Sequence, residues 1–133
     1  MKELRYGNEK RLTGTTFEQA VEKATAALKS EGFGVLTQID VKDTLKKKLN
    51  VDFRRYLILG ACNPMLAHRA LDAEPQIGLL LPCNVVVQEV PEGGVSVSIA
   101  DPRAMFSMVE NAALTPVMEE ADQRLRRVMS SIS

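Results

Sequence analysis

Little in this sequence marks it for chemistry: it has two cysteines, one histidine and no excess of either charge. Seventeen Lys and Arg residues balance seventeen Asp and Glu residues, so no global field gathers phosphate backbones or cations. Nucleic acid and anionic membrane are therefore poor first readings of its partners. No apolar run reaches the roughly eighteen residues of a membrane span; the longest, from Ile77 to Val87, is broken by Gly78, Pro82 and Asn84. The opening Met1-Lys2-Glu3-Leu4-Arg5 has no apolar export region, so the expected location is the cytoplasm. Thiols stay reduced there, and Cys62 and Cys83 are expected to be free rather than bridged. No Gly-rich phosphate loop follows a strand pattern and Gly-x-Ser-x-Gly is absent, which removes two common signatures of nucleotide binding and serine hydrolysis.

What is present is the composition of a folded protein, 45% apolar and 26% charged. The 133 residues suit one domain over 1–133. Thr15-Thr16-Phe17-Glu18 has the spacing of a capping box opened by Thr15. Phe17, Ala20, Val21, Ala24, Ala27 and Leu28 then recur at three and four residues as the buried stripe of a helix. Gly32 is placed to end that helix, with Phe33 pressing back onto Leu28. The polar segment from Glu3 to Thr13 reads as an edge strand, Phe33 to Ile39 as a second strand, and Asp40 with Asp43 as the cap of a short helix ending in Lys46, Lys47 and Lys48. Those lysines invite a phosphate reading, but complementing the negative helix end in water explains them more simply.

Phe53 to Cys62 reads as a buried strand that stops at Asn63-Pro64, a cap followed by a first-turn proline. Gln76 to Val90 is a long β-branched stretch broken at Pro82. Pro91-Glu92-Gly93-Gly94 turns into Val95, Val97 and Ile99, which alternate with serines and leave one face of that strand wet. Asp101-Pro102 and Thr115-Pro116 repeat the cap-then-proline device. The last helix carries Val117, Ala121, Leu125, Val128, Met129 and Ile132 inward, with Glu120–Arg124 and Asp122–Arg126 pairs outside. The order is β-α-β-β-β-β-α, an α+β fold with both long helices on one face of a mostly antiparallel sheet.

Three words, Gly34-Val35-Leu36-Thr37-Gln38-Ile39-Asp40-Val41, Ile58-Leu59-Gly60-Ala61-Cys62-Asn63-Pro64 and Gly78-Leu79-Leu80-Leu81-Pro82-Cys83-Asn84-Val85, with the later Asp101-Pro102-Arg103, together resemble the bacterial family of domain of unknown function 302. The resemblance implies a β-α-β(4)-α fold similar to a single saddle unit of the TATA-binding protein. It also implies a homodimer, and it carries no established activity.

The residues themselves direct attention to Cys62. It ends a strand just before a capped helix start, where amides and the helix dipole favour a thiolate. Asn63 beside it could offer an amide to an anion, and Cys83 follows Pro82 at a strand break where a pocket can open. Against this, a free cysteine is often a small apolar filler. His68, on the helix from Pro64, is expected within about one turn of Cys62, although a lone helix histidine is usually exposed. Asp101 could act as a base, while capping accounts for it more economically. The twenty-residue gap between Cys62 and Cys83 matches no tight zinc spacing, and no cofactor is identified. The leading expectation is a binding module for a small ligand or soft metal at Cys62, Asn63 and Cys83, with Asp101 and His68 as neighbours. The alternative is a thiol redox or transferase enzyme with Cys62 as nucleophile and Cys83 as resolving partner. Nucleic-acid binding ranks third, suggested by the saddle-like fold alone.

Overall fold

The computed structural model describes residues Met1–Ser133. Its first segment is not one edge strand but a tight hairpin, β1 (Lys2–Leu4) and β2 (Gly7–Leu12), paired Glu3 to Asn8. The polar sequence that lowers its strand signal belongs to a ribbon exposed on one side. Helix α1 (Phe17–Ser30) starts one residue later than the first Thr-x-x-Glu spacing indicates. Thr16 caps it, accepting from the Gln19 N–H at 3.1 Å while the Gln19 side chain accepts from the Thr16 N–H at 3.0 Å. Two overlapping boxes compete in Thr15-Thr16-Phe17-Glu18-Gln19, and the one that begins the helix at Phe17 keeps that ring in the core.

The other end of α1 closes as the sequence indicates. Gly32 takes φ +85°, and the Phe33 N–H returns to the Leu28 carbonyl at 2.9 Å, the long bond of a Schellman motif. Strand β3 (Gly34–Asp40) follows, then α2 (Val41–Leu49), where the Asp40 carboxylate accepts from the Asp43 N–H at 2.9 Å. Strand β4 (Tyr56–Cys62) begins later than the apolar pattern from Phe53: Arg54 stacks on the rings of Phe53 and Tyr56, and pairing starts only at Tyr56, opposite Gln88.

Helix α3 (Pro64–Ala73) leads into a 3-10 turn over Pro75–Leu80, and β5 (Cys83–Glu89) starts only after Pro82. The apolar stretch before Pro82 is therefore a turn that buries Ile77, not strand. Strand β6 (Val95–Ala100), the short α4 (Pro102–Phe106) and the long α5 (Thr115–Ser131) complete the chain. Thr115 does not cap α5: a 3-10 turn capped by Asn111 runs directly into it, so its start needs no separate side-chain cap.

The six strands form one open antiparallel sheet in the order β1-β2-β6-β5-β4-β3. Its register puts Leu12 beside Val95, Val97 beside Val87, Ile99 beside Val85 and Leu59 beside Val85. These residues line one face, and α1 and α5 pack side by side against it in a single core of 25 buried residues. Ala20 and Ala24, fully buried, let α1 approach closely. The fold is α+β, with the layering both amphipathic stripes require.

Asp122 departs from its sequence reading. It lies on the inner side of α5 with a side chain only 6% exposed, so its bond to Arg126 is not an outer pair. Its Oδ2 accepts from Arg126 Nε at 3.0 Å and from Arg103 Nε at 3.1 Å, joining α4 to α5. The Glu120–Arg124 pair is on the surface as expected. No helix is long and apolar enough to cross a membrane.

Candidate functional site

The two breaks in regular structure meet around one cavity. Strand β4 ends at Cys62 because Asn63 turns the chain, its Oδ1 accepting from the Leu66 N–H at 3.2 Å with Pro64 at the first helical position. Strand β5 restarts at Cys83, directly opposite Ala61. Side-chain alternation sends Cys62 to the other side of the strand from Ala61 and Cys83, yet the cavity wraps the strand end and both cysteines border it. Neither is bridged.

About 380 Å³ of empty space lies here, counting the part open to solvent. Phe33 and Ala61 form its floor, Leu66, Ala67 and Ala70 of α3 one wall, and Phe106, Val117 and Ala121 of α4 and α5 the opposite wall. Pro82 closes the end, fitting over Gly60, where an added Cβ would meet its Cγ at 2.8 Å. Eleven of the thirteen lining residues are hydrophobic.

The polar groups bordering this space are already engaged or held neutral. The Asn63 amide nitrogen points to the Glu31 carbonyl at 3.4 Å, an oxygen that also accepts from Arg124 Nη1 at 3.0 Å. Asn63 therefore ties α3 to the end of α1, where Arg124 of α5 meets the same carbonyl. Burial pushes the Cys62 thiol up from its ordinary value, and pushes Cys83 further, to about 11, with the nearby Cys62 adding in the same direction. Burial at Cys62 thus works against the thiolate that the helix start favours. No three His, Cys, Asp or Glu side chains converge in a way that could hold a metal ion.

His68 and Asp101 lie elsewhere. The His68 side chain is 78% exposed, on the outer side of α3, 3.5 Å from Asp72. One helical turn of separation along the chain did not translate into proximity, because α3 turns its Leu66–Ala70 side inward. Asp101 caps α4, its Oδ1 accepting from the Arg103 N–H at 2.8 Å, and borders a different cleft with Asp122 and Arg126. Lys46, Lys47 and Lys48 are exposed at the end of α2, where Lys46 pairs with Asp52 and Lys47 with Asp43.

Sequence reasoning missed the cavity walls. The α3 stripe and Phe106 were legible as apolar, but nothing in their spacing says that they face Cys83. It also missed the Arg103–Asp122–Arg126 cluster, because Arg103 and Asp122 belong to different helices.

The sequence model of a family described as "Domain of unknown function DUF302" matches residues 8–132. A solved structure, the crystal structure of an uncharacterized conserved DUF302 protein from Bacillus stearothermophilus, is similar at 29% identity with a TM-score of 0.87. The similarity covers 96% of this chain and 98% of that one. No curated protein matches.

Proposed function

This chain belongs to the DUF302 family, which comes with no assigned activity, and we propose that it is a binding module whose ligand is a small, uncharged apolar group seated beside Cys62 and Cys83. The observation that supports this is the lining: an open space walled by aliphatic and aromatic side chains, where burial pushes both thiols up from their ordinary value. Apolar cavities of this kind stay poorly hydrated and take up apolar guests. A soft metal fits less well, since it would have to displace two raised-pKa protons with no third ligand nearby. The same raised thiols weigh against a nucleophilic role for Cys62. Toluene titrated into labelled protein should shift the amide resonances of Ala61, Leu66 and Ala70, and Ala67→Met or Ala70→Met should block those shifts. Absence of any shift in the wild-type protein overturns the reading.

Self-association belongs to the same proposal, with a second copy packing against the β3–α2 edge. Strand β3 and helix α2 contain no buried residue, although Val41 and Leu45 give α2 an apolar side. Leu36, Ile39, Leu49 and Val51 are between 46% and 68% exposed there. Asp40, Asp43 and Asp52 alternate with Lys42, Lys46, Lys47 and Lys48, a mixture complementary to itself under two-fold symmetry. The irregularity between Val35 and Thr37 disfavours simple strand addition, so face packing is expected. Light scattering should give twice the chain mass, and Leu36→Lys with Leu49→Lys should halve it; a monomeric wild-type protein removes this part.

A further inference from the structure

A second opening lies beyond Phe106, between α4 and the first turn of α5, and its chemistry differs from that of the cysteine cavity. We propose that this cleft binds small monocarboxylates, with Arg103 and Thr115 holding the carboxylate and Phe106, Val109, Leu114 and Met118 receiving the apolar body.

The cleft is roomier than the cysteine cavity, about 650 Å³ against 380 Å³ on the same measure, both including the part open to solvent. No Asp or Glu lines it, and Arg103 is its one charged residue. Most of its polar groups are committed. Asn111 Nδ2 donates to the Ala73 carbonyl at 2.9 Å and to Glu74 Oε1 at 3.1 Å, while its Oδ1 accepts from the Ala113 N–H. The Ser107 hydroxyl donates to the Ala104 carbonyl at 2.7 Å.

Two donors are left over. Arg103 spends only Nε, on Asp122, and its terminal amino nitrogens make no bond within the chain. The Thr115 hydroxyl makes none either, at an α5 start that lacks a side-chain cap. A guanidinium end and a hydroxyl beside an apolar wall match a carboxylate carrying a hydrocarbon body.

The guanidinium is also positioned in advance. Asp122 is buried and fixes Nε, and Asp101 anchors the α4 backbone at the Arg103 N–H. Asp122 is shared with Arg126, so one carboxylate faces two cations, and the field of Asp101 and Glu3 falls on Arg126. The terminal nitrogens of Arg103, on a half-exposed side chain, stay where an anion can reach them.

The test compares hexanoate with hexanamide, which share a chain and differ in charge, by calorimetry and amide-resonance mapping on the full chain. Hexanoate should bind about ten-fold or more tightly than the amide, the worth of a charge-assisted bond, with shifts at Ser107, Val109 and Thr115. Arg103→Gln should abolish the preference. Because that change also loosens Asp122, Thr115→Val serves as a second variant: it removes a hydroxyl with no partner in the chain and should weaken hexanoate selectively. Equal affinity for the two compounds, or shifts confined to Ala61, Leu66 and Ala70, overturns the proposal. Toluene entry into the cysteine cavity is read separately, so either site can fail without the other.

Discussion

Alkaline pH should unmask the burial of Cys83. In the native chain its thiol is pushed from the ordinary 9.0 up to about 11, first by burial and then by Cys62. The unfolded chain releases this proton first, so between those two values the unfolded state binds fewer protons and native stability falls as pH rises. Below the unfolded value both states hold the proton and the group contributes its full share. Each pH unit in the window costs about 1.4 kcal/mol, so about 3 kcal/mol is lost across it. Other groups titrate there too, and the comparison with Cys83→Ala isolates this one. Urea denaturation followed by far-UV circular dichroism should find the variant less stable near neutrality, by the lost packing. The gap should close or reverse by about pH 11, changing by about 3 kcal/mol. Alkylation reports the same quantity by a second route. At about pH 8 the Cys83 thiolate is about a hundred-fold scarcer than in an ordinary thiol, and labelling of the native protein should slow accordingly. A constant stability gap from neutrality upward, or labelling at the rate of an unstructured peptide, would refute the assignment of Cys83 to a dry, neutral site.

Gly32→Ala should cost about 2 kcal/mol in the same urea assay, from about 1 for the left-handed backbone and about 1 more for a displaced Asn63 cap, since the added Cβ would stand 2.9 Å from Asn63 Nδ2. The loss should be smaller when Asn63→Ala is already present, because the two changes share that cap. Thr16→Ala should cost about 1 kcal/mol and Thr15→Ala less than about half of that; the opposite order would return the cap to Thr15. Asp122→Asn should lower stability by about 1–3 kcal/mol, from weakened bonds to two guanidiniums at a buried carboxyl, and a neutral result by thermal unfolding would show that α4 and α5 do not depend on it.

Fold and site differed in how far the sequence exposed them. The helices were readable because their signals are local: a cap, a stripe of period three to four, a glycine where φ must be positive. The strands β4, β5 and β6 were readable from their apolar runs, and β6 starts at Val95 as its turn indicates, but the starts of β4 and β5 were not, since Phe53 and Ile77 are as hydrophobic as the strand residues that follow them. What separates them is Arg54 stacking on Phe53 and the turn before Pro82, which are matters of geometry. At the site, Asn63-Pro64 and Pro82-Cys83 marked the two breaks that border the cavity. The sequence shows the helix start beside Cys62 without the hydrophobic walls from α3, α4 and α5, whose burial pushes both thiols up. Asp122 shows the same gap: its i,i+4 partner was legible, while the burial that makes it a junction depends on Arg103 from another helix.

The strand order carries a kinetic consequence. Val87 faces Val97 across a hairpin, whereas Glu9 must find Ser98 across most of the chain. Closing that larger loop costs about 2 kcal/mol more in chain entropy than closing the hairpin. The β4–β5–β6 meander therefore assembles first and the β1–β2 ribbon docks last. During synthesis the ribbon emerges first and waits, while the outer edge of β6 stays bare until it arrives. Val95, Val97 and Ile99 lie on that edge with serines between them, so the segment most exposed to intermolecular strand pairing is the one that the opening residues of the chain later cover.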